Sequence, residues 1–343
     1  MRVNRRDRRG GRSGPKASLR RYLGAGTTDT VEMSLMKPQK MRTVVPAALL
    51  LVVAACTPGA ARVDLTPVTP TPTNEYHPGQ FVWYDLVTDD VTSAKNFYGE
   101  LFGWQFEDVQ GDDIVYSVVS HRGVAIAGIV PIDDGDVNVA SSRWLSLMSV
   151  EDVDEAANVI ERAGGSIDFG PTDNPTRGRL ALVTDPEGAT VVFLRARDGD
   201  PPNRDASELV SGRWMWTELW ARDAVAAARL YQSVAGYQIE TTDVAQSADY
   251  RVLTRDGRPR AGVNQLPWPE VQPNWLPYIK VDDPSAVARR VEQLGGTVLI
   301  PPLPEIRNGS VGLVMDPSGA AFAIQRWPID GSPETPGGVG GAR

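Results

Sequence analysis

Two short segments each place an indole beside a carboxylate. In Val82-Trp83-Tyr84-Asp85-Leu86, Trp83 and Asp85 are two residues apart. In Met215-Trp216-Thr217-Glu218-Leu219-Trp220, Trp216 and Trp220 flank Glu218 at the same spacing. Side chains alternate along a strand, so within each segment the aromatic and the acid share one face. Such a pair suits two kinds of chemistry. An aromatic surface next to an acid can hold a cationic or hydrogen-bonding ligand. A carboxylate pressed against an indole can have a raised pKa and act as a general base, which makes Asp85 and Glu218 the candidate catalytic residues. The plainer alternative is that the indoles fill a concave sheet and the acids bond a neighbouring Arg or the backbone. Tyr116 and Tyr250, and Trp144 and Trp275, also recur as matched pairs. They join Trp83, Trp216 and Trp220 as candidate ligand contacts, with strand packing as the alternative for them.

The pairs match because the chain carries a long internal repeat. Val82 to Glu107 runs in step with the second copy at an offset of 133 residues, and Arg143 to Ala196 matches Asn274 to Trp327 at an offset of 131. A period this long is that of a duplicated domain and exceeds solenoid repeats of roughly 20–50 residues.

The elements that must hold these residues follow from periodicity. Phe81–Val87 reads as a strand. Asp90–Leu101 carries Ala94, Phe97, Tyr98 and Leu101 at helical spacing, and Gly103 is placed to end the helix. Three short strands are expected next, at Trp104–Glu107, Ile114–Ser120 and Val124–Val130. The same order recurs: strand 144–150, helix 153–163 stopped by Gly164-Gly165, then strands at 166–169, 179–184 and 190–195. Asp185-Pro186-Glu187-Gly188 makes the last tight turn, and Asp316-Pro317-Ser318-Gly319 is its counterpart. Each body is therefore two βαβββ units, an α+β arrangement with four units in all.

These features resemble the vicinal oxygen chelate superfamily, which includes glyoxalase I, extradiol dioxygenases, fosfomycin-resistance enzymes and bleomycin-binding proteins. The resemblance rests on the paired βαβββ units, on Asp90…Phe97-Tyr98 with Leu101-Phe102-Gly103-Trp104, and on the Asp-Pro-x-Gly turns. It covers about 250 of the 343 residues. The opening Phe81-Val82-Trp83-Tyr84-Asp85-Leu86 is most similar to tandem glyoxalase-like proteins. The resemblance implies two curled, mostly antiparallel sheets, each around a cup. In metal-using members the ligands are a His or Gln early in a unit's first strand, or a Glu in a unit's last strand. Here the first-strand places hold Trp83, Leu145, Trp216 and Leu276, and the last-strand places hold Val192 and Ala323. None of these can bind a metal, so no metal or other cofactor is expected, and glyoxalase I chemistry is argued against. The two histidines are His77, in a Pro-rich stretch, and His121, in a hairpin, where a surface position is expected.

The front of the chain reads differently from the rest. Residues 1–55 carry a net charge of +9 and the remainder −17. An acidic body argues against a nucleic-acid partner, because such affinity rests on Lys and Arg neutralising phosphates. Residues 1–36 are expected to be disordered or an over-extended start. Residues 37–55 read as a signal peptide, with Lys37, Lys40 and Arg42 ahead of an apolar run at Val44–Ala55. Val53-Ala54-Ala55-Cys56 resembles a bacterial lipobox, so lipidation of Cys56 is expected, followed by a Pro/Thr tether in segment 56–79. The expected domains are 80–197 and 213–328, joined by a linker at 198–212 and followed by a loose tail at 329–343. Taken together, the sequence predicts a lipid-anchored envelope protein with a small-molecule ligand. It would lie on the periplasmic face of an outer membrane, or on the outer face of the plasma membrane where there is none. It is expected to be a monomer forming an internal pseudo-dimer. The rival readings are a metal-independent lyase, isomerase or hydrolase using Asp85 or Glu218 as base, an envelope scaffold without ligand, and a metal-dependent enzyme with ligands from unforeseen places.

Overall fold

Four aspartates start the four α-helices of the described residues. Asp90, Asp152, Asp223 and Asp283 each accept a backbone N–H of the first turn with their side chain, satisfying donors that a helix start leaves open. Gly103 and Gly236 end the first helix of each body in the left-handed conformation, which glycine adopts without a Cβ clash. The computed structural model describes residues 65–111, 115–132, 142–241 and 250–329. The apolar run 44–55, Cys56 and the tail beyond Ile329 lie outside the described residues. Among the described residues no helix is long and apolar enough to cross a membrane.

The first body runs β1 (Phe81–Thr88), α1 (Val91–Phe102), β2 (Gln105–Gln110), β3 (Val115–His121), β4 (Val124–Pro131), β5 (Arg143–Ser149), α2 (Val153–Arg162), β6 (Ser166–Asn174), β7 (Gly178–Thr184) and β8 (Thr190–Ala196). The second repeats it: β9 (Trp214–Ala221), α3 (Ala224–Ala235), β10 (Gln238–Thr241), β11 (Arg251–Arg255), β12 (Arg258–Gln265), β13 (Asn274–Lys280), α4 (Pro284–Gln293), β14 (Thr297–Ile300), β15 (Val311–Met315) and β16 (Ala321–Gln325). Each body forms one eight-stranded mixed sheet, ordered β2-β3-β4-β1-β5-β8-β7-β6 and β10-β11-β12-β9-β13-β16-β15-β14. The two units of a body join where their first strands pair antiparallel, β1 with β5 and β9 with β13. The expected α+β tandem architecture is what is found.

Alternation along β1 and β9 sorts side chains between two environments. Tyr84 and Leu86 face the helices, as does Leu219, while Trp83 and Val87 face the cup. The helix faces of the two bodies share their cores. One core combines α2 residues Ala156 and Ile160 with α3 residues Ala228 and Tyr231. The other combines Phe97 and Tyr98 of α1 with Ala288 and Val291 of α4.

The two repeated motifs meet across this interface. Asp316 Oδ1 caps its own turn by accepting from the backbone N–H groups of Ser318 and Ala320. Its Oδ2 accepts from Tyr98 Oη of the first body at 3.1 Å, and Trp144 Nε1 donates to that same hydroxyl at 2.8 Å. The mirror relay is Trp275 Nε1 to Tyr231 Oη at 2.9 Å, then Tyr231 Oη to Asp185 Oδ2 at 3.2 Å. Trp144 and Trp275 are therefore not cup residues, correcting the expectation above. Each lies one residue out of phase with the cup-facing set of its strand, and its indole is consumed in the interface.

The segment preceding β1 also departs from expectation. Residues 65–79 are docked on the first body. Leu65 and Val68 are buried in the same cluster as Trp83, and the Thr176 hydroxyl donates to the Leu65 carbonyl. The Thr73 and Asn74 N–H groups donate to Asp198 O, and the His77 N–H donates to Asp200 Oδ2. The Arg195 guanidinium lies 3.4 Å from the Tyr76 ring centroid. Within the segment 56–79 expected to be a tether, the described residues 65–79 are docked chain. His121, expected at the surface, is buried with its ring against Gly212 of the linker, and burial lowers its pKa.

Candidate functional site: two unequal cups

In the first cup, Trp83 and Asp85 of β1 meet Tyr116 of β3. Trp83 Nε1 donates to Asp85 Oδ1 at 2.9 Å, and Tyr116 Oη donates to the same oxygen at 2.8 Å. Gly128 sits opposite Asp85 on β4. A Cβ there would come within 1.8 Å of Tyr116 Oη, so only glycine lets the pair lie against the sheet. Arg177, from the β6–β7 turn, donates from Nη2 to Tyr116 Oη at 3.2 Å and places its Cζ 4.5 Å from the Trp83 ring centroid. Burial raises the Tyr116 pKa, and the Asp85 charge raises it further against an opposing effect of Arg177.

The second cup repeats the arrangement with richer bonding. Tyr250 Oη donates to Glu218 Oε1 at 2.8 Å and accepts from Trp216 Nε1 at 3.1 Å. Gly262 gives the same clearance that Gly128 gives, its absent Cβ lying 2.3 Å from Tyr250 Oη. Arg307, from the turn before β15, donates from Nη2 to Glu218 Oε1 at 2.6 Å and from Nη1 to Gln325 Oε1 at 2.8 Å. Tyr278 Oη donates to Glu218 Oε2 at 2.5 Å. Both oxygens of Glu218 are thus occupied, and the carboxylate is fully buried. Burial, the largest single effect, lowers the Arg307 pKa, but Glu218, Tyr278 and Tyr250 together outweigh it and hold the guanidinium above its ordinary value. Burial also pushes the Tyr250 and Tyr278 hydroxyls up.

The cups differ most in what covers them. The first is covered over its indole, with only partial access at Asp85: Trp83 is 1% exposed, and Leu65 and Val68 pack in the cluster formed by the cup wall. In the second, Trp216, Trp220, Val311, Leu313 and Ala321 are only partly buried around a small core of Leu276, Tyr278 and Ala323. Trp268 stacks on Trp220 with ring centroids 6.0 Å apart and planes 18° apart. Trp220 Nε1 is buried without a partner among the described residues, and so is Oδ1 of Asn264, its register partner on β12.

The metal that the resemblance implies does not fit these residues. Across the sheet, Trp83 pairs with Leu147 and Leu147 with Val192, while Trp216 pairs with Tyr278 and Tyr278 with Ala323. Among the described residues no group of three or more His, Cys, Asp or Glu side chains could hold a metal ion, and octahedral metals want several such donors.

The structure brings Trp83, Asp85 and Tyr116 together in one cup, and Trp216, Glu218, Trp220 and Tyr250 in the other. Sequence reasoning missed Arg177, Arg307, Tyr278, Trp268 and the two glycines. The glycines had a signal in the repeated Ala127-Gly128 and Ala261-Gly262. The arginines were hidden by one residue, since a gapless offset of 131 matches Arg177 to Asn308 instead of Arg307.

Residues 80–193 match the Glyoxalase/Bleomycin resistance protein/Dioxygenase superfamily, and residues 216–325 match a glyoxalase-like domain. The chain belongs to this superfamily. It is 32% identical over 256 residues to CFP32 of Mycobacterium tuberculosis, a protein named as a glyoxylase, covering 73% of this chain and 96% of that one. It is 30% identical to the anthracycline biosynthesis protein DnrV of Streptomyces peucetius, covering 77% of this chain and 98% of that one. The Mn(II)-bound glyoxalase of Novosphingobium aromaticivorans aligns with a TM-score of 0.49 at 14% identity, covering 73% of this chain and 82% of that one.

Proposed function

We propose that this glyoxalase-like protein binds a planar, hydrogen-bonding organic molecule in its second cup, without a metal. The observation that carries this is the partly exposed aromatic wall of Trp216, Trp220 and Trp268 above a buried, charge-neutral floor of Glu218 and Arg307. Flat aromatic surfaces favour flat conjugated ligands. The unpartnered Trp220 Nε1 and Asn264 Oδ1 add one donor and one acceptor on adjacent strands. The name of DnrV, which concerns a polycyclic aromatic product, supports the same class. A titration of tryptophan fluorescence against a panel of hydroxylated polycyclic aromatics tests this. Saturable quenching that Trp220→Ala and Asn264→Ala each weaken is expected. No saturable response, or one that both variants leave unchanged, sinks the reading.

The rival reading as a metal-independent lyase, isomerase or hydrolase needs a carboxylate that can take a proton. The geometry disfavours Glu218, which is fully buried, paired with Arg307 and hydrogen-bonded on both oxygens. Asp85 keeps that reading open for the first cup, because both hydrogen bonds it accepts fall on Oδ1. Export and lipid anchoring at Cys56 belong to the same proposal. Leu65, the first described residue, is already docked on the first body. Detergent-phase partitioning that Cys56→Ser does not abolish would count against the anchor.

A further inference from the structure

We propose that Arg177 anchors an anion site in the first cup, roofed by residues 65–69, whose ligand is a small monoanionic carboxylate. This goes beyond the second-cup reading and does not rest on it. Arg177 is 1% exposed and belongs with the largest fully buried side chains of the described residues. Its Nη2 reaches Tyr116, but its Nε and Nη1 are buried with no partner among the described residues. No ion pair is found for it there. Asn174, whose Oδ1 accepts from the N–H groups of Thr176 and Arg177, has its own Nδ2 buried and unpartnered. The open groups on this turn are therefore all donors.

Arg307 stands at the corresponding place in the second cup, and its two terminal nitrogens find Glu218 and Gln325. The same fold thus completes one guanidinium and leaves the other short of acceptors. A buried guanidinium without them leaves its desolvation penalty uncompensated, and buried polar groups in folded proteins are almost always paired. An anion supplies the missing acceptors. Carboxylate geometry suits a guanidinium fork.

The surroundings narrow the class. Asp85 is two hydrogen bonds from Arg177 through the Tyr116 hydroxyl, so its charge disfavours a dianion. Leu145, Leu147, Leu180 and Leu182 make the nearby wall apolar, which suits a short aliphatic remainder. Thr176, next to Arg177, holds the roof through the Leu65 carbonyl.

The test is the thermal midpoint of the full-length chain in sodium acetate, sodium phosphate and sodium chloride at matched ionic strength. A saturable rise with acetate beyond that of chloride is expected. Arg177→Met should lose affinity by at least about tenfold, since hydrogen bonds to charged groups are worth roughly 1.5–3 kcal/mol. Arg177→Lys should keep a weaker response. An acetate response no larger than that of chloride in the wild-type chain overturns the site, whether or not the variants fold. Equal acetate responses in wild type and Arg177→Met overturn it too. Tighter binding of phosphate than of acetate overturns the monoanion assignment.

Discussion

At the scale of single residues, the two acids that the sequence singles out have different roles open to them. Glu218 is the counter-charge that lets Arg307 stay buried, and its three hydrogen bonds, from Arg307, Tyr250 and Tyr278, engage both of its oxygens. Breaking a buried ion pair by neutralising one member strands the other charge, which costs about 3–5 kcal/mol. Glu218→Gln is therefore expected to lower stability by that order in chemical denaturation. Asp85→Asn should cost less, because Asp85 is more exposed and makes no direct ion pair in the described residues. Equal losses for the two would show that the Arg307 pairing contributes nothing beyond its hydrogen bonds.

At the scale of elements, the repeated Tyr and Asp-Pro-x-Gly motifs join the bodies, and this sets a pH dependence. Burial raises the pKa of Asp316, against hydrogen bonds from Ser318, Ala320 and Tyr98 that lower it. A carboxyl whose pKa is higher folded than unfolded binds protons more readily in the folded state. Its contribution to stability is full below the unfolded value of 3.8 and is lost as pH rises through the raised folded value. Asp316→Asn keeps an acceptor for the turn and removes this titration. Lowering the pH from neutrality toward 4 should thus raise wild-type stability relative to Asp316→Asn, read as the difference of their denaturation midpoints. A difference that stays constant, or moves the other way, contradicts the assignment. The elements themselves were largely legible in the sequence. Periodicity and Asp/Gly punctuation placed α1 and β1 within a residue or two, because local sterics and capping decide such boundaries. The sorting of Trp83 from Tyr84 was legible too, because strand alternation fixes it. What was not legible came from long-range contact. Trp144 looked like a cup residue until Tyr98 and Asp316 were found to claim it. Leu65 and Val68 looked like tether, because Pro and Thr around them say nothing about a docking partner far along the chain.

At the scale of the whole molecule, the duplication is not two independent domains in series. The second unit of the first body shares its core with the first unit of the second body, and the remaining two units share the other core. Each body alone would expose the α1 or α3 faces and lose the Tyr98–Asp316 and Tyr231–Asp185 contacts together. Exposed apolar surface of that extent is not sustained by an isolated monomer. Expressed separately, residues 65–197 and 213–329 should each self-associate or lack fixed near-ultraviolet circular dichroism. Mixed or co-expressed, they should recover the intact signal and elute as a one-to-one pair. Cleavage in the polar linker around Pro201 and Pro202 should leave the halves bound, because the shared cores and relays hold them without it. A second body that folds as a monomer with native-like aromatic signal would refute this, and would mean that the sheet and its own two helices suffice. The same reasoning bears on the unequal cups. Both cups face away from the shared cores, so a change in one can occur without repacking the interface. Duplication has kept the Trp–acid–Tyr–Gly arrangement in both, while Glu218 satisfies its arginine in one and a docked segment covers the other.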